Sequence, residues 1–171
     1  MRISHRVVLR GGALLGTAAG FAAPAAAETL TVNLTLPRIS VAEYHKPYVA
    51  IWVQKAGGPA KTLAVWYDVN KRNNGGAKWL RDVRLWWRAS GRSLTMPADG
   101  VSGATRAPGP QSATFTTPLP AGAYTLFVEA AREAGGSEVV RVPFTVGGNG
   151  AVRASAAGKA ELGAVALTVR K

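Results

Sequence analysis

"GAYTLFVEAAREAGGSEVVRVPFTV" (residues 122–146) contains two runs in which apolar residues alternate with other residues. Alternation with a period of two is typical of β-strands that are buried on one face. The inward positions are Tyr124, Leu126, Val128 and Ala130 in the first run, and Val140, Val142, Phe144 and Val146 in the second. Because "AGGS" between the runs favours a tight turn, the stretch predicts a β-hairpin.

The same period recurs along the rest of the chain. It is found in "TLTVNLTLP" (29–37), "YVAIWVQ" (48–54), "TLAVWYD" (62–68), "SATFTTP" (112–118) and "ELGAVALTVRK" (161–171). About seven short strands separated by turn signals predict a mostly β fold, an immunoglobulin-like antiparallel β-sandwich. Pro143 cannot donate a backbone hydrogen bond, so we expect its strand to lie at a sheet edge or to carry a bulge.

One segment, "KWLRDVRLWWRAS" (78–90), has helical spacing instead. At about 100° per residue, the apolar side chains fall on one side of a helix and the arginines on the other. The apolar side would hold Trp79, Leu80, Val83, Trp86 and Trp87, and the basic side Arg81, Arg84 and Arg88. The segment therefore predicts an inserted amphipathic helix. Its apolar side either caps the sandwich, or forms with the arginines a basic, aromatic face for a ligand or an anionic membrane.

The amino-terminal segment is typical of a secretory signal peptide. Arg2, Arg6 and Arg10 precede a short apolar run, and Ala25 and Ala27 fit a small-x-small cleavage pattern. We expect residues 1–27 to be cleaved and residues 28–171 to form one β-sandwich domain in the periplasm. An uncleaved amino-terminal anchor is the alternative.

Composition limits the chemistry of the exported domain. The chain has no cysteine, which excludes disulfides, cysteine-ligated metals and thiol catalysis within it. Without the three arginines of the amino-terminal segment, 18 basic residues stand against 9 acidic ones, a net charge of +9. That charge favours acidic partners, phosphates or anionic lipid. Outside the cytoplasm we do not expect nucleic acid to be the partner.

Candidates for catalysis are few. His45 in "AEYHKPYVAIWV" is the only histidine of residues 28–171, and no carboxylate pair at ligand spacing accompanies it. The nine carboxylates are scattered, and no motif for a nucleophile or a phosphate loop is present. We therefore expect a carrier or binding protein, not an enzyme. Axial ligation of haem by His45 is one alternative, and a packed or surface histidine is the other.

The loop "PADGVSGATRAPGP" (97–110) is rich in Gly and Pro, yet it contains an ordered polar pattern. Gly103 and Ala104 give a small, flexible approach to the hydroxyl of Thr105. Asp99 and Ser102 can order the loop through bonds to its backbone.

These residues resemble the acceptor motif of flavinylated proteins, Asp-x-x-Ser/Thr-Gly-Ala-Thr. The five specified positions are matched by Asp99, Ser102, Gly103, Ala104 and Thr105. The resemblance implies that a periplasmic FAD:protein FMN transferase attaches FMN to Thr105 through a phosphoester. The protein would then be an electron carrier, with Arg106 and the arginines of the predicted helix as candidates to stabilise reduced flavin. Many flavinylated acceptors have a different fold, a dedicated FMN-binding domain.

The chain as a whole resembles the predicted periplasmic family of domain of unknown function 2271. The stretches that carry this resemblance are "AEYHKPYVAIWVQ", "KTLAVWYD", "KWLRDVRLWWR", "GATRAPG", "LPAGAYTLFVEAAREAGG" and "AAGKAELGAV". Proteins of this kind are similar in context to PepSY-type membrane proteins and FMN transferases. The resemblance implies periplasmic redox work linked to iron reduction or respiration.

Three hypotheses therefore remain from the sequence. The first is an FMN-carrying redox protein with a PepSY-type membrane partner. The second is an immunoglobulin-like interaction module that docks through its basic helix. The third is a haem or iron carrier that uses His45.

Overall fold

A computed structural model describes residues 27–171, and these form two packed β-sheets with one helical insertion. The predicted signal peptide lies outside the described residues, except Ala27, which is the first residue of a strand. Within residues 27–171 no helix is long and apolar enough to cross a membrane.

Nine strands make up the two sheets. They are β1 (Ala27–Leu36), β2 (Tyr48–Lys55), β3 (Ala60–Tyr67), β4 (Ser102–Ala104), β5 (Gly109–Pro118), β6 (Gly122–Ala131), β7 (Ser137–Val146), β8 (Val152–Ala157) and β9 (Ala164–Arg170). One sheet has the order β5-β1-β9-β8 and the other the order β4-β3-β2-β6-β7. All described pairings are antiparallel except that of β3 with β4.

The mostly β prediction is confirmed, but the count of about seven strands is wrong. Two strands, β4 and β8, give weak sequence signals: β4 has three residues, and the alternation of β8, "VRASAA", rests on one valine and small alanines. Both strands lie at sheet edges, and Val152, Ala154 and Ala156 of β8 pack against the core between the sheets. The immunoglobulin-like character of the sandwich stays a prediction. Pro143 does lie in an edge strand, β7, as its missing N–H predicts.

The core between the sheets is built from the inward positions that the alternation predicts. Each long strand contributes every second residue, for example Leu30, Val32, Leu34 and Leu36 from β1 and Leu126, Val128 and Ala130 from β6. In β3 a bulge opposite Ile51 and Trp52 inserts Leu63 as an extra residue, so Leu63 joins the same core as Ala64.

The outer face of the five-stranded sheet is also buried, under the segment that connects β3 to β4. Ala50, Trp52, Val65 and Tyr67 pack there against Leu80, Val83 and Trp86. This second core explains why β2 and β3 are apolar on both faces.

The prediction of one helix over residues 78–90 is wrong. The segment is a 3₁₀ stretch, Arg72–Asp82, followed by a short helix α1, Arg84–Ala89. Val83 breaks the helical path with φ −78° and ψ 74°, and Asn73 and Asn74 take left-handed backbone angles. Because a 3₁₀ turn holds three residues and not 3.6, side chains rotate away from their α-helical positions. Trp79 is consequently 49% exposed, whereas Leu80 is buried.

Candidate functional site

A cavity of about 590 Å³ opens at one end of the five-stranded sheet. Its walls come from the start of β2, from the residues that follow β3 and β4, and from the turn that joins β6 to β7. The pairing explains this: Tyr48 at the start of β2 lies opposite Ala131 at the end of β6, and the parallel pair of β3 and β4 ends at Tyr67 and Ala104. The segments that leave these strands therefore meet in one place.

Thr105 lines this cavity directly after β4. Its backbone N–H donates to the carbonyl oxygen of Tyr67 over 3.2 Å, which extends the pairing of β4 with β3 by one residue. The residue is partly buried. The hydroxyl group singled out by the sequence is thus carried by an anchored strand end beside a cavity, and not by a free loop.

Among the other residues of the acceptor-like motif, Ser102 and Gly103 shape the backbone before Thr105. Ser102 accepts a hydrogen bond from the N–H of Ala98 with its side-chain oxygen (2.9 Å), and its own N–H donates to the Ala98 carbonyl (2.9 Å). Asp99 and Ala104 are exposed and lie outside the cavity lining. Ser102 therefore closes the turn from which β4 starts.

Gly103 lets β4 approach the sheet closely. A Cβ at this position would lie 3.1 Å from Cδ1 of Trp66, which is tighter than an ordinary contact. The Arg106 guanidinium covers the same indole ring at 4.9 Å from its centroid. Arg106 is not among the residues that line the cavity. The Arg106 guanidinium therefore lies over the Trp66 ring in a cation–π contact.

His45 lines the same cavity as Thr105. Its Nε2 lies 3.3 Å from a carboxylate oxygen of Glu43, and its Nδ1 lies 3.7 Å from one of Glu133. Both ring nitrogens are thus within ion-pair distance of a carboxylate. Nowhere in residues 27–171 does a group of three or more His, Asp or Glu side chains come together in a way that could hold a metal ion.

The predicted basic and aromatic face is divided by the structure. Trp79 and Arg84 line the cavity, whereas Arg81 and Arg88 are exposed outside it. Trp86 is fully buried and Trp87 packs edge-on against it at 6.1 Å. Trp86 is therefore a core residue, and Trp87 is partly buried against that core.

A buried carboxylate holds α1 in place. Glu129 accepts hydrogen bonds from the backbone N–H groups of Leu85 (2.9 Å) and Trp86 (2.7 Å). The Trp86 indole N–H donates to the Thr62 hydroxyl over 3.0 Å. These contacts satisfy amides that α1 cannot satisfy itself, and they attach it to β6 and β3.

Several residues that line the cavity were not predicted from the sequence. Tyr44 and Tyr48 flank His45 in the chain, and Asp68 and Arg132 directly follow β3 and β6. Burial, reinforced by the nearby Asp68 carboxylate, raises the pKa of Tyr48 to about 12. Its phenol is therefore neutral at physiological pH and donates to the Gly76 carbonyl over 3.2 Å. Their position close to His45 in the sequence could have identified both tyrosines as site residues.

The turn from β6 to β7 forms one wall of the cavity. Hydrogen bonds of two carboxylates, Glu161 and Glu138, connect this region to the loop between β8 and β9. Arg132 donates to Glu161 through Nε (3.1 Å) and Nη2 (3.0 Å), and the N–H of Gly136 donates to the same carboxylate (2.9 Å). Glu138 accepts the N–H groups of Lys159, Ala160 and Leu162. The cavity wall is thereby fixed to the loop between β8 and β9.

The charges around the cavity are mixed. Lys46, Arg84 and Arg132 supply positive groups, and Asp68, Asp82 and Glu133 supply negative ones. Aromatic surface comes from Tyr44, Tyr48 and Trp79. A cavity of this size with aromatic walls and a few convergent polar groups has the properties of a small-molecule or cofactor site.

Comparison with known sequences decides the family. The profile of the family described as "Predicted periplasmic protein (DUF2271)" matches residues 29–164. The chain belongs to this family. The match covers both sheets from β1 to the first residue of β9. The family is thus described as predicted to be periplasmic, in agreement with the location expected from the sequence.

Other comparisons add little. No curated protein matches the chain. One solved structure with a detectable likeness is human GIVD cytosolic phospholipase A2 in complex with methyl gamma-linolenyl fluorophosphonate, at 10% identity and a TM-score of 0.32. That likeness covers 86% of this chain but only 17% of the phospholipase chain.

Proposed function

We propose that this member of the family is a periplasmic electron-transfer protein that carries FMN covalently on Thr105. The observation that carries the proposal is that Thr105, the final residue of the acceptor-like motif, lines the aromatic cavity at the end of β4. A coincidental match to the motif has no reason to end at a cavity. The motif and the cavity are independent observations, and together they support a modification site better than either does alone.

The residues around Thr105 fit a flavin. The cavity volume of about 590 Å³ lies within the range of roughly 300–1,000 Å³ found for sites of drug-sized ligands. Trp79, Tyr44 and Tyr48 offer aromatic surface for the planar ring. Arg84 and Lys46 offer positive charge for a phosphate or for a reduced ring. Arg106, a candidate from the sequence, contacts Trp66 instead, so Arg84 takes its place in the proposal.

The attachment would be a phosphoryl transfer from FAD, catalysed by an FAD:protein FMN transferase. The Thr105 hydroxyl oxygen attacks the phosphorus on the FMN side of the pyrophosphate, and an ester bond from oxygen to phosphorus forms. The pyrophosphate bond breaks, AMP leaves, and the hydroxyl proton passes to a base of the transferase or to water. FMN, when bound, supplies reversible acceptance and release of electrons. The chain itself contributes the acceptor hydroxyl, the aromatic walls and the cations.

The biological role in the proposal rests on the family resemblance. An electron carrier in the periplasm needs a donor, and a PepSY-type membrane protein is the partner that the resemblance implies. Iron reduction or a respiratory chain would receive the electrons. In this proposal the protein is a carrier and not an enzyme.

The geometry of His45 favours FMN over haem. An axial haem ligand needs a free ring nitrogen directed at the iron. Both nitrogens of His45 lie near carboxylates, at 3.3 Å from Glu43 and 3.7 Å from Glu133. Haem binding would require at least one of these contacts to break.

The test is co-expression with an FMN transferase in the periplasm, followed by denaturation. The expected result is a protein band with flavin fluorescence and an intact mass increased by one FMN. Thr105→Ala should abolish both signals, whereas Thr114→Ala on β5, an exposed threonine in the other sheet, should keep them. Absence of flavin from the wild-type chain, when a known acceptor is modified in the same cells, would refute the proposal.

A further inference from the structure

We infer that residues 71–92, called here the basic collar, form the docking surface for the acidic face of a redox partner protein. The assignment of the partner as a redox protein rests on the proposed function. The charge and position of the surface do not rest on it. The collar connects β3 to the turn before β4 and includes α1.

The charge of the collar is concentrated and unusually one-sided. It contains seven basic residues, and Asp82 is its only acidic residue. The seven are Lys71, Arg72, Lys78, Arg81, Arg84, Arg88 and Arg92, and all are exposed. None of them forms an ion pair with a carboxylate of residues 27–171. Such a surface attracts a partner of opposite charge and accelerates its association.

The collar is held rigidly, which limits the entropy lost on docking. Glu129 binds two backbone N–H groups of α1, and Trp86 is fully buried beneath it. Leu80 and Val83 are buried in the same outer core. A surface whose backbone is already fixed loses less conformational freedom when a partner binds.

The same packing argues for a protein partner over a membrane. A helix that inserts into a bilayer presents several apolar side chains outward. Here Leu80, Val83 and Trp86 are directed into the protein, and Trp79 is the one large apolar side chain of the collar that is strongly exposed. A single exposed tryptophan among arginines is typical of the residues that dominate protein–protein interfaces.

The collar lies next to the proposed redox site. Trp79 and Arg84 belong to the collar and also line the cavity that contains Thr105. A protein docked on the collar would lie against the opening of that cavity. Its redox group would thus be brought close to a cofactor held there.

The binding of two probe proteins of known charge tests whether the collar is a docking surface. An acidic plant-type ferredoxin and a basic mitochondrial cytochrome c are titrated into the full chain by calorimetry. The full chain without FMN is used first, so the result does not depend on flavinylation. We expect binding to ferredoxin only, weakened strongly when the ionic strength is raised toward about 0.15 M or above.

Two variants with equal net charge separate a local surface from overall charge. Arg81→Glu with Arg88→Glu reverses two charges of the collar, outside the cavity lining. Arg153→Glu with Arg170→Glu reverses two exposed charges on β8 and β9. The collar variant should bind ferredoxin at least about tenfold more weakly, and the control variant less than about threefold. Trp79→Ala should also weaken binding.

Three results would overturn the inference. The first is equal weakening in both charge variants, which would indicate attraction by net charge alone. The second is no binding of ferredoxin by the wild-type chain. The third is binding to phosphatidylglycerol vesicles that depends on Arg81 and Arg88 and is stronger than binding to ferredoxin. That outcome would identify the collar as a membrane surface. Flavinylation of Thr105 is measured separately, so the two failures are distinguishable: failure of flavinylation removes the redox assignment of the partner but not the acidic docking surface.

Discussion

The Arg132 guanidinium and the Glu161 carboxylate form a pair joined by two hydrogen bonds, with side chains only 7% and 5% exposed. Arg132 directly follows β6 and lines the cavity, whereas Glu161 lies in the loop before β9. The pair therefore connects the wall of the candidate site to the other sheet. Its buried position makes the loss of one partner costly, because the remaining charge loses its only charged partner in the pair.

Removal of Glu161 should destabilise the protein strongly. We expect Glu161→Ala to lower the free energy of unfolding by about 3–5 kcal/mol, since it leaves Arg132 buried and unpaired. The measurement is denaturant unfolding followed by tryptophan fluorescence. Glu133→Ala, an exposed neighbour of Arg132, is the control and should change stability by less than about 1 kcal/mol. Similar losses in both variants would contradict this account of the pair.

Glu129 should determine whether α1 stays attached to the sheet. In Glu129→Ala the two N–H groups of Leu85 and Trp86 lose their acceptor, at a cost of about 1–3 kcal/mol each. Glu129→Gln keeps one acceptor oxygen, so its loss of stability should be smaller. Hydrogen exchange of the Trp86 amide reports the effect directly. Unchanged protection of that amide in Glu129→Ala would show that the carboxylate does not hold the helix.

Gly103 should be intolerant of any side chain. The added Cβ of Gly103→Ala would press on Trp66 at 3.1 Å, and Trp66 is fixed beneath Arg106. We expect β4 to shift away from β3, with a loss of about 1–3 kcal/mol, typical of overpacking. Faster hydrogen exchange of the Thr105 amide, which donates to Tyr67, should accompany the loss. Ala104→Ser, at the next and exposed position, is the control and should leave that amide protected.

The stability of the protein should fall in acid through Glu138. Burial alone would raise the pKa of Glu138, but hydrogen bonds from the N–H groups of Leu162, Ala160 and Lys159 outweigh it and hold the pKa below its ordinary value of 4.5. The folded state therefore favours the charged carboxylate. This contribution to stability is complete above about pH 4.5 and is lost as the pH falls through the lower folded value.

The check is the free energy of unfolding, measured between neutral pH and about pH 3. The wild-type chain should lose more stability over this range than Glu138→Gln, whose side chain does not titrate. Glu43→Gln, a substitution of an exposed carboxylate, is the control and should retain the wild-type dependence. Parallel curves for the wild-type chain and Glu138→Gln would exclude Glu138 as a source of acid sensitivity.

The sequence by itself determined the sheets and most of the core. Period-two alternation located seven strands and their inward residues, because a half-buried strand must place apolar side chains on one face. It also located Thr105 within its motif, since the motif is local. It did not reveal β4, which has only three residues, or β8, whose alternation rests on one valine and small alanines. The apolar spacing over residues 78–90 predicted one helix, but the structure breaks at Val83, and Glu129 accepts the first amides of the short helix that follows.

Only the tertiary structure decided which residues share the cavity. Thr105, His45, Trp79 and Arg132 come from four different segments. Strand pairing brings together the segments of Thr105, His45 and Arg132, and packing of the 3₁₀ segment on the outer face of the sheet brings Trp79 to them. Tertiary packing also placed the Arg106 guanidinium over the Trp66 ring and Arg84 in the lining of the cavity. Local sequence dictates backbone preference, because that preference depends on near neighbours. Proximity between distant segments depends on how the strands are ordered in the sheets, which the periodicity of a single strand does not encode.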